Sequence, residues 1–575
     1  MTPAQRPWPR TPLLRRWGPI AVVLAVFVAA GVVATTHTTD KGKASTQRAT
    51  TNPVDNPDLP VMYETAKKEG KVGDYDWDPG CDKTSGRLAL PTVYAPPCVP
   101  VHTGPNGGAT APGVTADTIN VVLYQAPPTD LTAALQANTD PPEAQWATAQ
   151  DFAAEFNHLF QMSGRKVKLI RFQSNGISTD DTTARADAIK VADDLHAFAS
   201  IGGPAQTAAY EDELAARGVL CLGCGLSVGD ADFQRDAPHM WGTLATPDQL
   251  LESVFDYVVQ RLYGRKASFA GDPAFRKETR KFGTVSYTQD PPVPSATALR
   301  DKLNKQYAKA GIRQGVNETY LLDLAKLPET ATTIVGHLKA KGVTTVVFVG
   351  DPIMPIYLTK AATAQHYFPE WIVTGTVLTD TSALARLYDQ EQWAHAFGVS
   401  SLAVPVPQHQ STAWRLYTWY YGHDPAAPKT VGVIYPSLFQ LFTGIHLAGP
   451  HLTDLTFQGG LFRYPPSGGG PTNPRISYGN HGLFPAPDYV GVDDTTEIWW
   501  DANVTAEDEQ GKVAKGHYRY ANGGRRYLPG QIPKRPSDAF KRAGSVVEYD
   551  DPTKLPASDR IPDVPPWPGS PAAGG

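Results

Sequence analysis

Cysteine is scarce in this chain, with four in 575 residues: Cys81, Cys98, Cys221 and Cys224. So small a number excludes a scaffold held together mainly by disulfides. None of the 14 histidines lies near Cys221 and Cys224 at zinc-ligand spacing, and no His-Glu-x-x-His occurs, so no metal centre is expected. Charge of one sign is also missing. The 52 Lys+Arg against 57 Asp+Glu leave a net charge of −5 with no long basic run, which argues against nucleic acid as a partner. No repeat at solenoid or propeller periods is present. With 41% hydrophobic residues, the chain has ample material for a large buried core.

Proline and glycine are plentiful instead, 52 and 51, each about 9% of the chain against a usual Pro share of about 5%. The N-terminus carries Arg6, Arg10, Arg15 and Arg16 before an uncharged apolar run, Trp17 to Ala34. That run approaches the roughly 20 residues of a membrane-spanning helix, and the arginines orient it with the N-terminus inside. An uncleaved signal anchor and a signal peptide cut near Ala34 both fit. Either way everything after Thr35 is expected outside the cytoplasm, where paired cysteines fit disulfides. Cys81 and Cys98 bracket a Pro-rich segment and are expected to bridge. Cys221-Leu222-Gly223-Cys224 reads as a short disulfide or two buried thiols ahead of a redox pair, lacking the strand–helix context of the latter.

Residues 36–59 read as an exposed linker, 60–112 as a Pro/Gly-rich pre-domain holding Cys81 and Cys98, and 527–575 as an extension disordered from about 550. Between these ends strand and helix patterns alternate. The first series runs 118–124 strand, 143–160 helix, 166–172 strand, 182–195 helix, 197–201 strand, 208–216 helix and 219–222 strand. Thr179, Asp180 and Asp181 are cap candidates for the second helix. A second series from Thr246 gives strands at 282–287, 318–322, 344–349 and 371–373, with helices at 250–262, 296–310, 330–340 and 356–365. Strands this apolar imply parallel sheets covered by helices on both faces, an α/β fold of two tandem units. Ligand loops then fall at the carboxyl ends of strands: Gln125–Pro128, Gly202–Thr207, Gly223–Ser227 and Gly350–Pro352.

Several segments resemble one family. GVTADTINVVLY (Gly113–Tyr124) and ASIGGPAQTAAYEDELAARGVLCLG (Ala199–Gly223) resemble the first lobe of bacterial extracytoplasmic substrate-binding proteins of the branched-chain amino acid ABC transporter type. KAKGVTTVVFVGDP (Lys339–Pro352), KAATAQHYFPEWIVTG (Lys360–Gly375) and TEIWWDANVTAEDEQGKVAKGHYRY (Thr496–Tyr520) resemble its second lobe and closing strands. The likeness spans roughly Gly113–Arg526, about 70% of the chain, and rests on the ordered series of segments. It implies the type I periplasmic-binding fold: two Rossmann-like lobes joined by a three-crossing hinge. The implied first lobe is 113–245 with 397–449, and the second 246–396 with 450–526.

By position, the resemblance gives ligand contacts to Gln206 and Thr207 after the third strand, and to Gly225 and Ser227 after the fourth. In the second lobe the family's aspartate-Tyr-Gly pattern is replaced by YTQDPPVPS, leaving Tyr287, Gln289 and Asp290 as candidates. The acidic residue that receives an ammonium group would fall near Thr376 and Val377, where there is no carboxylate. Asp351 is the substitute, or else the cap of the following helix. Gln125 and Thr376 complete the set as loop residues.

Against these stand plainer or rival motifs. Gly225-Leu226-Ser227-Val228-Gly229 matches a nucleophile elbow literally, but the residues that follow are a poor helix start for one. Asp493, Asp494, Asp501, Glu507, Asp508 and Glu509 miss calcium-loop spacing and read as solvated turn residues. Trp414, Tyr417 and Tyr421 share a helical face and read as core. The leading function is a non-enzymatic solute-binding protein that captures a small polar, amino-acid-like solute, serving an ABC permease and needing no cofactor. A membrane-anchored sensor or cell-envelope interaction protein using the same cleft is the second reading, and a serine hydrolase the third.

Overall fold

The structure is a computed structural model. It describes residues 52–574 apart from 128–129, 131–139, 205–206, 225–227, 289–300, 302–304 and 313–314. A short antiparallel pair, β1 (Cys81–Asp82) and β2 (Arg87–Leu88), lies in the pre-domain. The first large sheet holds β3 (Thr118–Gln125), β4 (Lys166–Gln173), β5 (Ala199–Ile201), β6 (Leu220–Leu222) and β7 (Met240–Trp241). Its order is β4-β3-β5-β6-β7 and every pairing is parallel. The second holds β8 (Phe282–Thr288), β9 (Val316–Leu321), β10 (Thr345–Val349), β11 (Glu370–Val373) and β12 (Ala396–Ser400) in the order β9-β8-β10-β11-β12, again parallel. Antiparallel β13 (Thr495–Glu507) and β14 (Val513–Tyr520) extend that sheet, and β15 (Arg526–Tyr527) pairs with β13.

Both sheets therefore follow one doubly wound order, and helices cover both faces of each. Alternation along the strands sorts the side chains. Val121 packs with the helices Pro142–Leu159, Val431–Ala448 and Asp454–Phe462, whereas Val122 faces Asp181–Ile189 and Ala209–Ala216. In the second sheet Val346 and Phe348 meet Leu327–Ala340 and Met354–Ala364, while Val347 meets Pro247–Tyr257. This two-lobed α/β arrangement is the fold the resemblance implied.

Local signals explain where elements begin. Asp180 accepts from Thr183 N–H at 3.0 Å and caps the helix Asp181–Ile189. Thr246 and Gln249 form a reciprocal capping box, with Pro247 at the first helical position of Pro247–Tyr257. The helix Val431–Ala448 is long and apolar enough to cross a membrane by length and composition, but it is buried in the first-lobe core. The expected apolar helix at 17–35 lies outside the described residues, as does most of the helix expected at 296–310.

Boundaries differ from the sequence expectation in several places. β12, expected in the first lobe, pairs with β11 and β13 in the second sheet. Residues 450–492, expected in the second lobe, pack on the first: Leu452, Phe457, Leu461, Tyr478 and Tyr489 join the core that holds β3 and β6. The helix Asp454–Phe462 docks on Val431–Ala448 because Gly444 and Gly460 let the two approach, and a Cβ on Gly444 would stand 2.2 Å from the Phe457 ring. Residues 52–59 are not an exposed linker throughout. Leu59 is buried, and Pro53 and Leu59 contact Gly459.

The pre-domain shares the first-lobe core through Met62, Leu88, Leu90, Cys98 and Val99, and carries the Cys81–Cys98 disulfide with Cα atoms 5.7 Å apart. His446 fastens it from below. Its Nδ1 accepts from Gln161 N–H at 2.9 Å, so its Nε2–H donates to Pro97 O at 2.9 Å, and burial lowers its pKa to about 4.

The tail after 550, expected to be disordered, is held at two anchors. Asp559 is fully buried and accepts from Thr472 N–H at 2.7 Å and Asn473 Nδ2 at 2.8 Å. Trp567, 7% exposed, packs against Gly80 and meets the Trp419 ring, and Trp419 Nε1 donates to Pro565 O at 3.0 Å. A Pro-rich segment offers few N–H groups that need partners, so two such anchors suffice.

Four of the six acids expected as solvated turn residues are buried in pairs. Asp501 meets Arg519 at 2.7 Å, Asp508 meets Arg386, Asp494 meets Arg526 at 2.7 Å, and Asp493 accepts from Ser477 Oγ at 2.7 Å. Glu507 and Glu509 are exposed.

Candidate functional site

Three stretches of chain cross between the lobes side by side: 242–246 after β7, 401–404 after β12, and 490–494 before β13. Gly242 bridges Val490, and Gly242 N–H donates to Tyr489 O at 3.0 Å. A Cβ on Gly242 would stand 2.6 Å from Val490 Cγ1, so the two crossings touch only because that side chain is absent. Arg526 ties the others. Its guanidinium donates to Asp494 Oδ1 at 2.7 Å, Ser401 O at 2.7 Å and Leu402 O at 2.8 Å.

A cavity of about 90 Å³ opens above these crossings, where both lobes present the carboxyl ends of their strands. Gly223, Cys224, Val228 and Phe233 line it from the first lobe, Leu250, Gly375, Val377, Leu378 and Asp380 from the second, and Thr243–Pro247 with Ser401 and Leu402 from the crossings. Its wall is mostly apolar. Leu244, Val377 and Leu378 remain about 40% exposed at its mouth, large apolar surface that a soluble protein ordinarily covers. Val377 (φ 47°) and Leu378 (φ 61°) are both left-handed, a conformation that costs a residue with a Cβ about 1–2 kcal/mol.

One carboxyl group is set in that wall, beside Thr243, Thr246 and Ser401. Asp380 is 2% exposed. Ser400 Oγ–H donates to its Oδ2, while Ser400 Oγ accepts from Leu402 N–H at 3.0 Å. Asp380 Oδ1 is buried without a hydrogen-bond partner. Burial raises its pKa to about 7, the Ser400 bond opposes the shift, and the like charge of Glu509 adds to it. Sequence reasoning sought an acid at Thr376–Val377 and missed this one, four residues further on. Its setting, Thr379-Asp380-Thr381-Ser382, reads as a helix start, and Ser382–Ala385 is indeed a short helix.

Of the residues singled out in the sequence, Gln206, Gly225, Ser227, Gln289 and Asp290 lie outside the described residues, and with Ser227 the nucleophile-elbow motif. The others are not among the residues that line the cavity. Gln125 Oε1 accepts from Arg171 Nε at 2.6 Å on the first-lobe edge. Thr207 Oγ–H donates to Asp181, and its Oγ accepts from Ala209 N–H at 3.0 Å. Tyr287 meets Tyr320 edge to face, with ring centroids 6.0 Å apart. Asp351 accepts from Tyr320 Oη–H, and its Oδ1 takes Ile353 N–H at 2.7 Å and Met354 N–H at 3.0 Å, so it caps the helix Met354–Ala364. Thr376 sits between two wall residues, with its hydroxyl 3.2 Å from both Gly350 N and Gly350 O.

Cys221 and Cys224 are joined by a disulfide, which sets Cys224 in the wall. Tyr417 and Tyr420 are buried in the first-lobe core, and Trp414 packs against it. Among the described residues no group of three or more His, Cys, Asp or Glu is placed to hold a metal ion.

No protein-family model matches the chain, and no curated protein matches it. Solved structures with a similar fold do exist. A solute-binding protein of an ABC transporter from R. palustris, in complex with 4-hydroxybenzoate, is 12% identical, with 73% of this chain and 98% of that chain covered at a TM-score of 0.48. A branched-chain amino acid transporter substrate-binding protein from Streptococcus pneumoniae, in complex with isoleucine, is 13% identical, covering 70% and 100% at a TM-score of 0.44. A fatty acid ABC transporter substrate-binding protein from Thermomonospora curvata is 14% identical, covering 72% and 95% at a TM-score of 0.45.

Proposed function

We propose that this chain is an extracytoplasmic solute-binding protein that captures a small molecule between its two lobes and delivers it to an ABC permease, with the N-terminal apolar run holding it to the membrane or directing its export. The observation that carries the reading is the cavity at the crossings. It takes its wall from both lobes, leaves Leu244, Val377 and Leu378 in water, and contains a buried carboxyl oxygen with no partner. A solute that covers that apolar surface and touches both walls favours the closed arrangement by the difference in its affinity for the two states. At about 25 cal/mol per Å², each 100 Å² of apolar wall removed from water contributes about 2.5 kcal/mol.

The reading is tested by mass spectrometry of small molecules released on denaturing protein purified under native conditions, with a melting screen beside it. A true solute at about 100 times its Kd stabilises the fold by about 2.7 kcal/mol. A folded sample that releases nothing and shifts with nothing in a broad solute screen overturns the reading.

A further inference from the structure

We propose that the cleft takes an apolar solute presenting a hydrogen-bond acceptor, such as a carbonyl oxygen, to Asp380 Oδ1, with the carboxyl as the donor. The proposal rests on the solute-binding reading and adds the chemistry of the ligand.

Leu402 N–H donates to Ser400 Oγ, so the Ser400 hydroxyl proton is free to point at Asp380 Oδ2, which therefore acts as an acceptor. With Oδ2 accepting from Ser400, a proton held by the carboxyl sits on Oδ1, the oxygen without a partner. That proton is held below about pH 7. Against the effect of burial, the Ser400 hydroxyl on β12 and the backbone N–H of Asp380 itself favour the ionised form, and Glu509 at the β13–β14 turn opposes it. Asp380 in turn acts on the phenols of Tyr388, Tyr518 and Tyr520. Among the described residues no Lys, Arg or His forms an ion pair with Asp380, and without one an ionised carboxylate at 2% exposure is strongly disfavoured. A neutral acid with an unused O–H, set in a mostly apolar wall of Val228, Phe233, Leu250, Val377 and Leu378 that also holds Thr243, Thr246 and Ser401, is complementary to a largely apolar molecule that presents an acceptor.

Two small probes of similar skeleton separate the possibilities: methyl isobutyl ketone, which only accepts, and isoamylamine, a cation that only donates. Ligand-observed NMR measures the dissociation constant of each with the full-length protein on both sides of neutrality. The ketone is expected to bind about tenfold more tightly at about pH 6 than at about pH 8, following the protonated fraction of a carboxyl that titrates near 7. Asp380→Asn keeps a donor and is expected to bind the ketone equally at both pH values. Asp380→Leu, whose fold is checked by circular dichroism, is expected to lose the pH dependence and weaken ketone binding.

Tighter binding of the amine than of the ketone, or ketone binding that strengthens as pH rises, overturns the proposal and leaves the solute-binding reading standing. Absence of ketone binding to folded protein also overturns it. The solute-binding reading itself falls only if the released-solute and melting screens are blank as well.

Discussion

Gln249 Nε2 donates to Asp488 Oδ1 at 3.0 Å, with both side chains buried. The pair joins the helix that opens the second lobe to the segment that leads into the third crossing. Asp488 Oδ1 also takes Val490 N–H at 2.9 Å, while Oδ2 is buried without a partner. Gln249→Leu removes one of two donors from a buried carboxyl together with the capping-box acceptor for Thr246 N–H, and is expected to destabilise the fold by about 1–3 kcal/mol. Urea unfolding measures it, and an unchanged midpoint would remove this contact from any account of the hinge.

Stability should fall as pH rises through neutrality. Burial, the largest cause in both cases, raises Asp380 and Asp493 from 3.8 to about 7. A carboxyl whose folded pKa is raised holds its proton more tightly in the folded state, so its contribution is present at low pH and is lost between the unfolded and folded values. For each such group, stability drops by about 1.4 kcal/mol per pH unit across roughly pH 4–7. Melting temperatures at about pH 5.5 and 7.5 check the sign, and Asp493→Asn should reduce the slope.

Arg526 is buried with Asp494 and binds the carbonyls of the neighbouring crossing. Arg526→Met strands Asp494 in the interior and is expected to cost about 3–5 kcal/mol. Combining it with Asp494→Asn should restore part of that loss. Denaturant titration of both variants tests the pairing, and simple additivity would count against it.

Much of the fold was legible because apolar runs such as 345–349 and 118–125 have few alternatives to a buried parallel strand. β7 and β12 were not legible. The first is two residues long, and Ala396–Ser400 carries Gly398, whose lack of a side chain lets Val373 O approach to where a Cβ would be 2.0 Å away. Assignment of residues 450–492 to a lobe failed because helical periodicity tells which face is buried and not against what. Asp380 was hidden for a related reason. A Thr-Asp-Thr-Ser string is common at helix starts, and only the packing of Ser400 behind it makes the carboxyl unusual.

The Cys81–Cys98 bridge closes a 17-residue separation in a segment with little regular structure. Replacing both by Ser is expected to cost about 3 kcal/mol by the chain-entropy argument. Thermal unfolding with and without reductant measures it. The effect should appear first as exposure of Leu88 and Val99 to hydrogen exchange, since both belong to the core shared with the first lobe.

Trp567→Ala should free the last residues without unfolding the lobes. Limited proteolysis read by mass spectrometry is expected to trim the variant back toward Asp559 while leaving the natural chain intact. Equal trimming of both would show that the Trp419 contact does not hold the tail.

That tail adds a fourth connection between the halves. Tyr549 N–H is bound to Pro405 O, Asp559 to Thr472 and Asn473, and Trp567 to the first-lobe core. The ten and eight Cα–Cα steps between these anchors reach roughly 35 Å and 28 Å when taut. A slack tether therefore runs alongside the three crossings, whose four or five residues reach only roughly 14–18 Å and so bound the amplitude of any swing.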